Sequence, residues 1–69
     1  MKELRVKYKK SVYSFCRNGT SSQIGLSLYQ DENKVWVSSI NSKGNVTTGW
    51  MQVPNESIPE LIAALQQLI

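Results

Sequence analysis

Residues 53–69 read VPNESIPELIAALQQLI, and this stretch decides the fold because it marks the place where a sheet ends and a helix begins. Pro54 ends the preceding strand, since proline has no N–H to donate to a neighbouring strand. Ser57 and Glu60 have the spacing of a capping box, in which each side chain satisfies a free amide at the start of a helix. The stretch therefore predicts a helix from about residue 57 to residue 69.

The predicted helix carries one apolar stripe, because its apolar side chains recur at intervals of three and four residues. We expect Leu61 and Leu65 to face the sheet. We expect the end of the stripe to reach past the sheet to the helix of a second copy. The predicted dimer-interface residues are therefore Leu65, Leu68 and Ile69.

Upstream of the helix, apolar and polar side chains alternate with the period of two that is typical of strands. Asn18 and Gly19, followed by residues 20–22, predict a turn. Gly49 lies within the last predicted strand and indicates a bulge or a close backbone approach. The predicted strands span residues 4–9 and 12–16, either separate or continuous, and then 23–29, 34–40 and 46–53.

The predicted fold class is α+β: one domain, residues 1–69, with strands over about 4–53. A single antiparallel, curved sheet of four or five strands is followed by one C-terminal α-helix packed on one face. A chain of 69 residues buries only roughly 60% of the surface that its unfolded form exposes, so its stability is marginal. Dimerisation is a common remedy in domains of this size.

Composition excludes most catalytic and metal chemistry. The chain has one cysteine, Cys16, and no histidine, so it lacks the residues for an intrachain disulfide, a zinc site or a Ser-His-Asp triad. We expect no enzyme activity, no metal and no cofactor. No apolar run approaches the roughly 18 residues of a membrane span, and the N-terminal residues are not followed by the apolar stretch of a secretory signal. These observations predict a cytoplasmic protein without a membrane partner.

Basic charge is concentrated near the N-terminus. Residues 1–17 hold six basic side chains and one acidic one, whereas residues 18–69 hold two basic and four acidic ones. Such an asymmetry of charge is typical of proteins that bind a polyanionic partner. Lysines also keep an edge strand from pairing with other chains, which is the alternative explanation. The alternation places a set of cations and aromatic rings on the sheet face that the helix leaves open: Arg5, Lys7, Lys9, Tyr29, Trp36 and Ile40, with the position of Trp50 left open.

The order of elements resembles the Whirly-type single-stranded nucleic-acid binders. Residues 9–15, KKSVYSF, are similar to the basic stretch and aromatic strand of a PUR repeat, and residues 53–65 are similar to its final turn and helix. Residues 49–53, GWMQV, are similar to the strand before the helix in transcriptional positive cofactors. The resemblance implies a homodimer that binds single-stranded DNA or RNA across the sheet. The implied binding residues are Arg5, Lys7, Lys9, Lys10, Tyr13, Phe15, Arg17 and Trp36.

Two functions follow from these observations. The first is single-stranded nucleic-acid binding by a homodimer, with a nucleoid- or nucleic-acid-associated location. The second is a small protein-interaction module, such as a subunit or a phage-type inhibitor, that uses the same open face on a protein. Three aligned cations favour the first, since phosphates attract them and flat rings stack on bases.

Overall fold

Four strands and one helix follow one another along the chain in the computed structural model, which describes residues 2–16 and 19–69. The sheet is antiparallel with the strand order β1-β2-β3-β4, so neighbours in sequence are neighbours in the sheet. This confirms the predicted α+β class, with four strands. The elements are β1 (Lys2–Cys16), β2 (Gly19–Gln30), β3 (Lys34–Asn41), β4 (Met51–Pro54), a short 3-10 turn (Asn55–Ser57) and α1 (Ile58–Gln66).

The first strand is continuous through both predicted segments, but its pairing with β2 is interrupted. The ladder runs to the pair Lys7–Gly25 and resumes at Val12–Gln23, so residues 8–11 of β1 lie opposite Ile24 alone. Such an insertion bends a strand and sharpens its twist. Beyond it, β1 and β2 continue as a two-stranded arm.

Residues 20–22, which were expected in a turn, are part of β2. Thr20 pairs with Phe15 and Ser21 with Ser14. The strand pairing therefore extends further toward the hairpin turn than the serine and threonine content of residues 20–22 suggested. Gly19 has a φ of 109°, a backbone conformation that glycine adopts readily. Asn18, the other predicted turn residue, lies outside the described residues.

The register separates the sheet into two chemically distinct faces, because residues paired across antiparallel strands share a face. The row Leu4–Leu28–Val37–Met51 crosses all four strands and defines the apolar face. The opposite side, here the aromatic–basic face, is crossed by three further rows. These rows are Glu3–Tyr29–Trp36–Gln52, Arg5–Ser27–Ser38 and Lys7–Gly25–Ile40.

The last strand is shorter than the predicted 46–53. After one bridge between Ile40 and Val46, the chain leaves the ladder and rejoins it at Met51. Between these points Thr48 takes over the hydrogen bonds of β3. Its carbonyl oxygen accepts from Ser38 Oγ at 2.9 Å, and its Oγ1 accepts from the Ser39 N–H at 3.0 Å. We refer to residues 46–50 as the arch, and it contains Gly49, where a bulge was predicted.

The capping box expected at Ser57 and Glu60 is absent. Ser57 has helical backbone angles (φ −94°, ψ −1°) and makes no side-chain cap, because the preceding 3-10 turn has already started the helical winding. Asn55 anchors this turn instead. Its Nδ2 donates to the carbonyl oxygens of Asp31 (3.2 Å) and Glu32 (3.1 Å) in the β2–β3 turn.

Only the beginning of α1 lies against the sheet. Ile58 and Leu61 line an open cavity of about 320 Å³ on the apolar face, together with Leu4 and Val53. No residue of α1 is buried. The expectation that Leu65 faces the sheet is wrong, because only the first turn of α1 borders the cavity on the apolar face, and Leu65, one turn further on, is 55% exposed.

The chain buries little apolar surface on its own. Within residues 2–16 and 19–69, Ile40 is the one buried large apolar side chain. The chain exposes 5645 Å², whereas a folded monomer of 7.8 kDa exposes about 4,400 Å². Its radius of gyration is 12.8 Å, against about 11 Å for a chain of this length. The fold therefore leaves an unusually large surface, and most of its exposed large apolar side chains lie on the apolar face, on α1 and on the arm of β1 and β2.

Candidate nucleic-acid interface

An aromatic cleft opens on the aromatic–basic face. It has a volume of about 370 Å³, and we define it by Arg5, Tyr29, Trp36 and Trp50. Tyr29 and Trp36 are there because β2 and β3 pair them directly. Trp50 comes from the arch, which carries this ring back over the sheet. A cation and three aromatic side chains are thus gathered from four segments of the chain.

The Trp36 ring is held by the β2–β3 turn. Its Nε1 donates to Asp31 Oδ2 at 3.0 Å, and Lys34 Nζ lies 4.9 Å from the ring centroid. An ammonium group over an indole face is attracted by the ring's electron density. The hydrogen bond and the cation together restrict the orientation of the indole.

The Asp31 carboxylate organises this turn. The hydrogen bond from Trp36 lowers the pKa of Asp31 most, followed by the backbone N–H groups of Asn33 and Lys34, with a smaller contribution from the Lys34 charge. Both N–H groups donate to Oδ1, at 2.8 Å and 2.9 Å. The carboxylate therefore stays ionised over the neutral pH range and remains an acceptor for the indole.

A second cavity on the same face collects the basic side chains. It has a volume of about 340 Å³, and we define this basic cavity by Arg5, Lys7 and Lys43. Of the predicted cations, Arg5 and Lys7 reach it. Lys9 and Lys10 lie in the unpaired stretch of β1 and are exposed. The register therefore does not place them on the aromatic–basic face beside Arg5 and Lys7.

The predicted aromatic residues of the second segment lie on the arm of β1 and β2. Tyr13 and Phe15 are 80% and 83% exposed, and neither lines the aromatic cleft. Phe15 borders a separate opening beside Trp50 and the arch. Arg17, the third predicted residue of this segment, lies outside the described residues.

The three predicted dimer residues are all exposed in the single chain. Leu65 is just over half exposed, and Leu68 and Ile69 follow α1 with almost no cover. Their apolar side chains are thus available to a partner.

Four residues at the site were missing from the predicted binding set, and one of them, Tyr29, had already been placed on the open face by alternation. Trp50 could have been included from the bulge signal at Gly49, which indicates that the chain leaves the plane of the sheet there. Lys34 stands two positions from Trp36 on one strand, a spacing that places both on one face. Lys43 carries no local signal, because its position beside Arg5 depends on the packing of a distant turn.

Comparisons with protein-family models, with curated proteins and with solved structures found no significant match. Over the described ranges, no group of side chains has the composition and proximity to hold a metal ion. The same part of the chain contains no helix with the length and apolarity needed to cross a bilayer.

Proposed function

We propose that the chain binds single-stranded DNA or RNA through the aromatic–basic face, as a homodimer. The observation that carries this proposal is the aromatic cleft, where Arg5 lies beside Tyr29, Trp36 and Trp50. Single-strand binders combine cations that attract phosphates with rings on which unpaired bases stack. A duplex keeps its bases stacked on one another and cannot use such a cleft in the same way.

The charges of this face favour a polyanion over a protein partner. Arg5 and Lys7 make no ion pair with any residue in the described ranges, so no described acidic side chain holds either cation. Glu3 and Asp31 are the acidic residues nearby, and Asp31 is engaged by Trp36 and the turn. Because Glu3 also lines the aromatic cleft beside Arg5, the excess of positive charge lies toward Lys7 and Lys43, whose opening has no acidic lining residue.

The apolar face and α1 support the second half of the proposal, a homodimer. The surface exceeds that of a typical folded monomer by about 1,300 Å², and a standard interface buries about 800 Å² on each partner. A second copy offers a matching helix stripe and sheet face. The dimer would cover the apolar side and leave both aromatic–basic faces open.

The direct test is binding of a fluorescein-labelled oligothymidylate, followed by anisotropy at about 50 mM salt, where phosphate contacts are strong. We expect the wild type to bind the single strand more tightly than a duplex of equal length. Trp36→Ala should weaken binding by roughly 5- to 150-fold, which corresponds to a stacking loss of about 1–3 kcal/mol.

The matched control is Trp36→Phe, which keeps an aromatic ring at the same position and should retain most of the affinity. Thermal unfolding of each variant separates lost binding from lost folding. The proposal fails if the wild type does not bind the single strand. It also fails if a folded Trp36→Ala protein binds as tightly as the wild type.

A further inference from the structure

We infer that Arg5, Lys7 and Lys43 form a phosphate-binding site in the basic cavity. The site deepens the proposed function, because it rests on that function for the source of the phosphate, the backbone of a single strand. The three side chains of the site come from two segments that are distant in sequence. Arg5 and Lys7 belong to the first strand, and Lys43 belongs to residues 41–45 between β3 and the arch, which we call the β3–β4 turn.

The β3–β4 turn lies against the first strand at this point. Arg5 Nη1 lies 3.5 Å from the position that a Cβ atom would take on Gly44. Gly44 has a φ of 80°, a conformation that glycine adopts without strain. The glycine thus lets the turn close tightly while the guanidinium lies beside it.

The turn that carries Lys43 is fixed by its own hydrogen bonds. Asn41 Oδ1 accepts from the Lys43 and Asn45 N–H groups at 3.0 Å and 3.1 Å, and the Gly44 N–H donates to the Asn41 carbonyl oxygen at 2.9 Å. A fixed backbone reduces the ordering cost of binding, since only the lysine side chain still has to be oriented.

Charge makes an anion the fitting occupant. No aspartate or glutamate lines the basic cavity, and none of its three cations forms an ion pair with a described residue. Three positive charges share one opening, which the apolar residues Val6, Ile24 and Ile40 also line, and a bound anion would lower the repulsion between these charges. The guanidinium of Arg5 also suits phosphate oxygens through its paired N–H donors.

Arg5 belongs to both openings on this face, since it lines the aromatic cleft and the basic cavity. A base stacked in the cleft would therefore have a backbone phosphate within the reach of Arg5. This gives the bound strand a path: bases toward Trp36 and Trp50, and phosphates toward Lys7 and Lys43. Lys43 is the new member of the site, and it distinguishes this path from a simple basic first strand.

The first arm of the test compares two variants that lose the same charge. Lys43→Gln changes the basic cavity, whereas Lys2→Gln removes a lysine on the apolar face, away from both openings of the aromatic–basic face. Sedimentation equilibrium checks that both variants keep the wild-type oligomeric state, because Lys2 borders the proposed dimer surface. Oligothymidylate affinity is measured between 50 and 200 mM salt. We expect the log–log salt slope of Lys43→Gln to be shallower by about 0.7, so that its defect relative to the wild type shrinks by about 2.6-fold over this range. Lys2→Gln should keep the wild-type slope.

The second arm uses inorganic tripolyphosphate, which offers phosphate without bases. On titration with tripolyphosphate, the amide NMR signals of Lys7 and Gly44 should move and reach a plateau in the wild type and in Lys2→Gln. The same signals should not move in Lys43→Gln. If oligothymidylate binds to Lys43→Gln and to the wild type with equal log–log salt slopes, the phosphate site is overturned, whereas the proposed function is still supported. Equal slope losses in the two variants also overturn it, because only net charge then matters.

Failure of the proposed function gives a different result. In that case oligothymidylate does not bind, while tripolyphosphate still shifts the Gly44 amide in the wild type and not in Lys43→Gln. The basic cavity would then be supported as an anion site that serves another phosphate compound. Absence of binding in both arms overturns the site together with the function.

Discussion

Gly25 is the residue on which the alignment of β1 with β2 depends. A Cβ atom at this position would lie 2.1 Å from the carbonyl oxygen of Val6, closer than any side chain tolerates. We expect Gly25→Ala to push β1 away and to lower the free energy of unfolding by about 1–3 kcal/mol, as overpacking does in other interiors. Urea denaturation measures the loss.

Gly49 supplies the matched control for this substitution. A Cβ there meets nothing within 4 Å, and its φ is not in the left-handed region. Gly49→Ala should leave the free energy of unfolding unchanged or raise it by about 0.4–1 kcal/mol, because alanine restricts the unfolded chain. Equal urea midpoints for the two variants would show that β1 can move at Gly25 without cost.

Asp31 makes the β2–β3 turn sensitive to acid. Its pKa lies below the ordinary value near 3.8, so its contribution to stability is present above that value and is lost as the pH falls through the lowered pKa. Asp31→Asn should therefore be less stable than the wild type at pH 6. The difference should shrink below about pH 4, where Asp31 of the unfolded chain begins to take up a proton, and should stop changing once the pH is below the lowered pKa of the folded state.

Denaturation midpoints between pH 2 and pH 6 measure this convergence. Glu32→Gln removes an equal charge one residue away and leaves the Trp36 hydrogen bond intact. A difference between Asp31→Asn and wild type that does not vary with pH would mean that the turn does not depend on the Asp31 charge. Trp36 fluorescence gives a second readout, since the indole loses its acceptor.

At the scale of elements, the sequence pattern predicts strands better than their ends. Arg5, Lys7 and Trp36 were placed on one face by simple alternation, and the register confirms this. The alternation fails to locate Lys9, because residues 8–11 lie opposite a single residue of β2. An insertion of this kind arises from pairing between strands and leaves no mark on the period within one strand.

The helix shows the same limit. α1 lies within the predicted span of residues 57–69 but ends at Gln66, so Leu68 and Ile69 of the predicted stripe follow the helix. The stripe could not reveal which surface it packs against, because an apolar surface of the same chain and an apolar surface of a second copy would require the same pattern. A nine-residue helix is marginal in isolation, so α1 depends on packing against other apolar surface for most of its stability. The arch was partly foreseen through Gly49, whereas the bonds that Thr48 makes with β3 depend on tertiary contact.

At the scale of the whole molecule, polarity divides the two proposed tasks. The apolar face and α1 are suited to a second copy, and the aromatic–basic face is suited to a charged strand. Each task uses side chains that the other leaves free, since alternate residues of β1 point to opposite faces. Leu4 and Arg5 are adjacent in sequence and belong to different surfaces. Dimerisation would thus keep the binding surface open and double it.

The dimer itself is tested by sedimentation equilibrium at micromolar concentration. We expect a mass of twice 7.8 kDa for the wild type. Leu65→Asp should shift the equilibrium to the monomer, because it places a charge in the apolar interface, while the single chain loses little packing at a residue that is 55% exposed. Gln66→Asp adds the same charge to a neighbouring polar position of α1 and should remain dimeric. A mass of 7.8 kDa across the whole concentration range would exclude a second copy as the occupant of the apolar face.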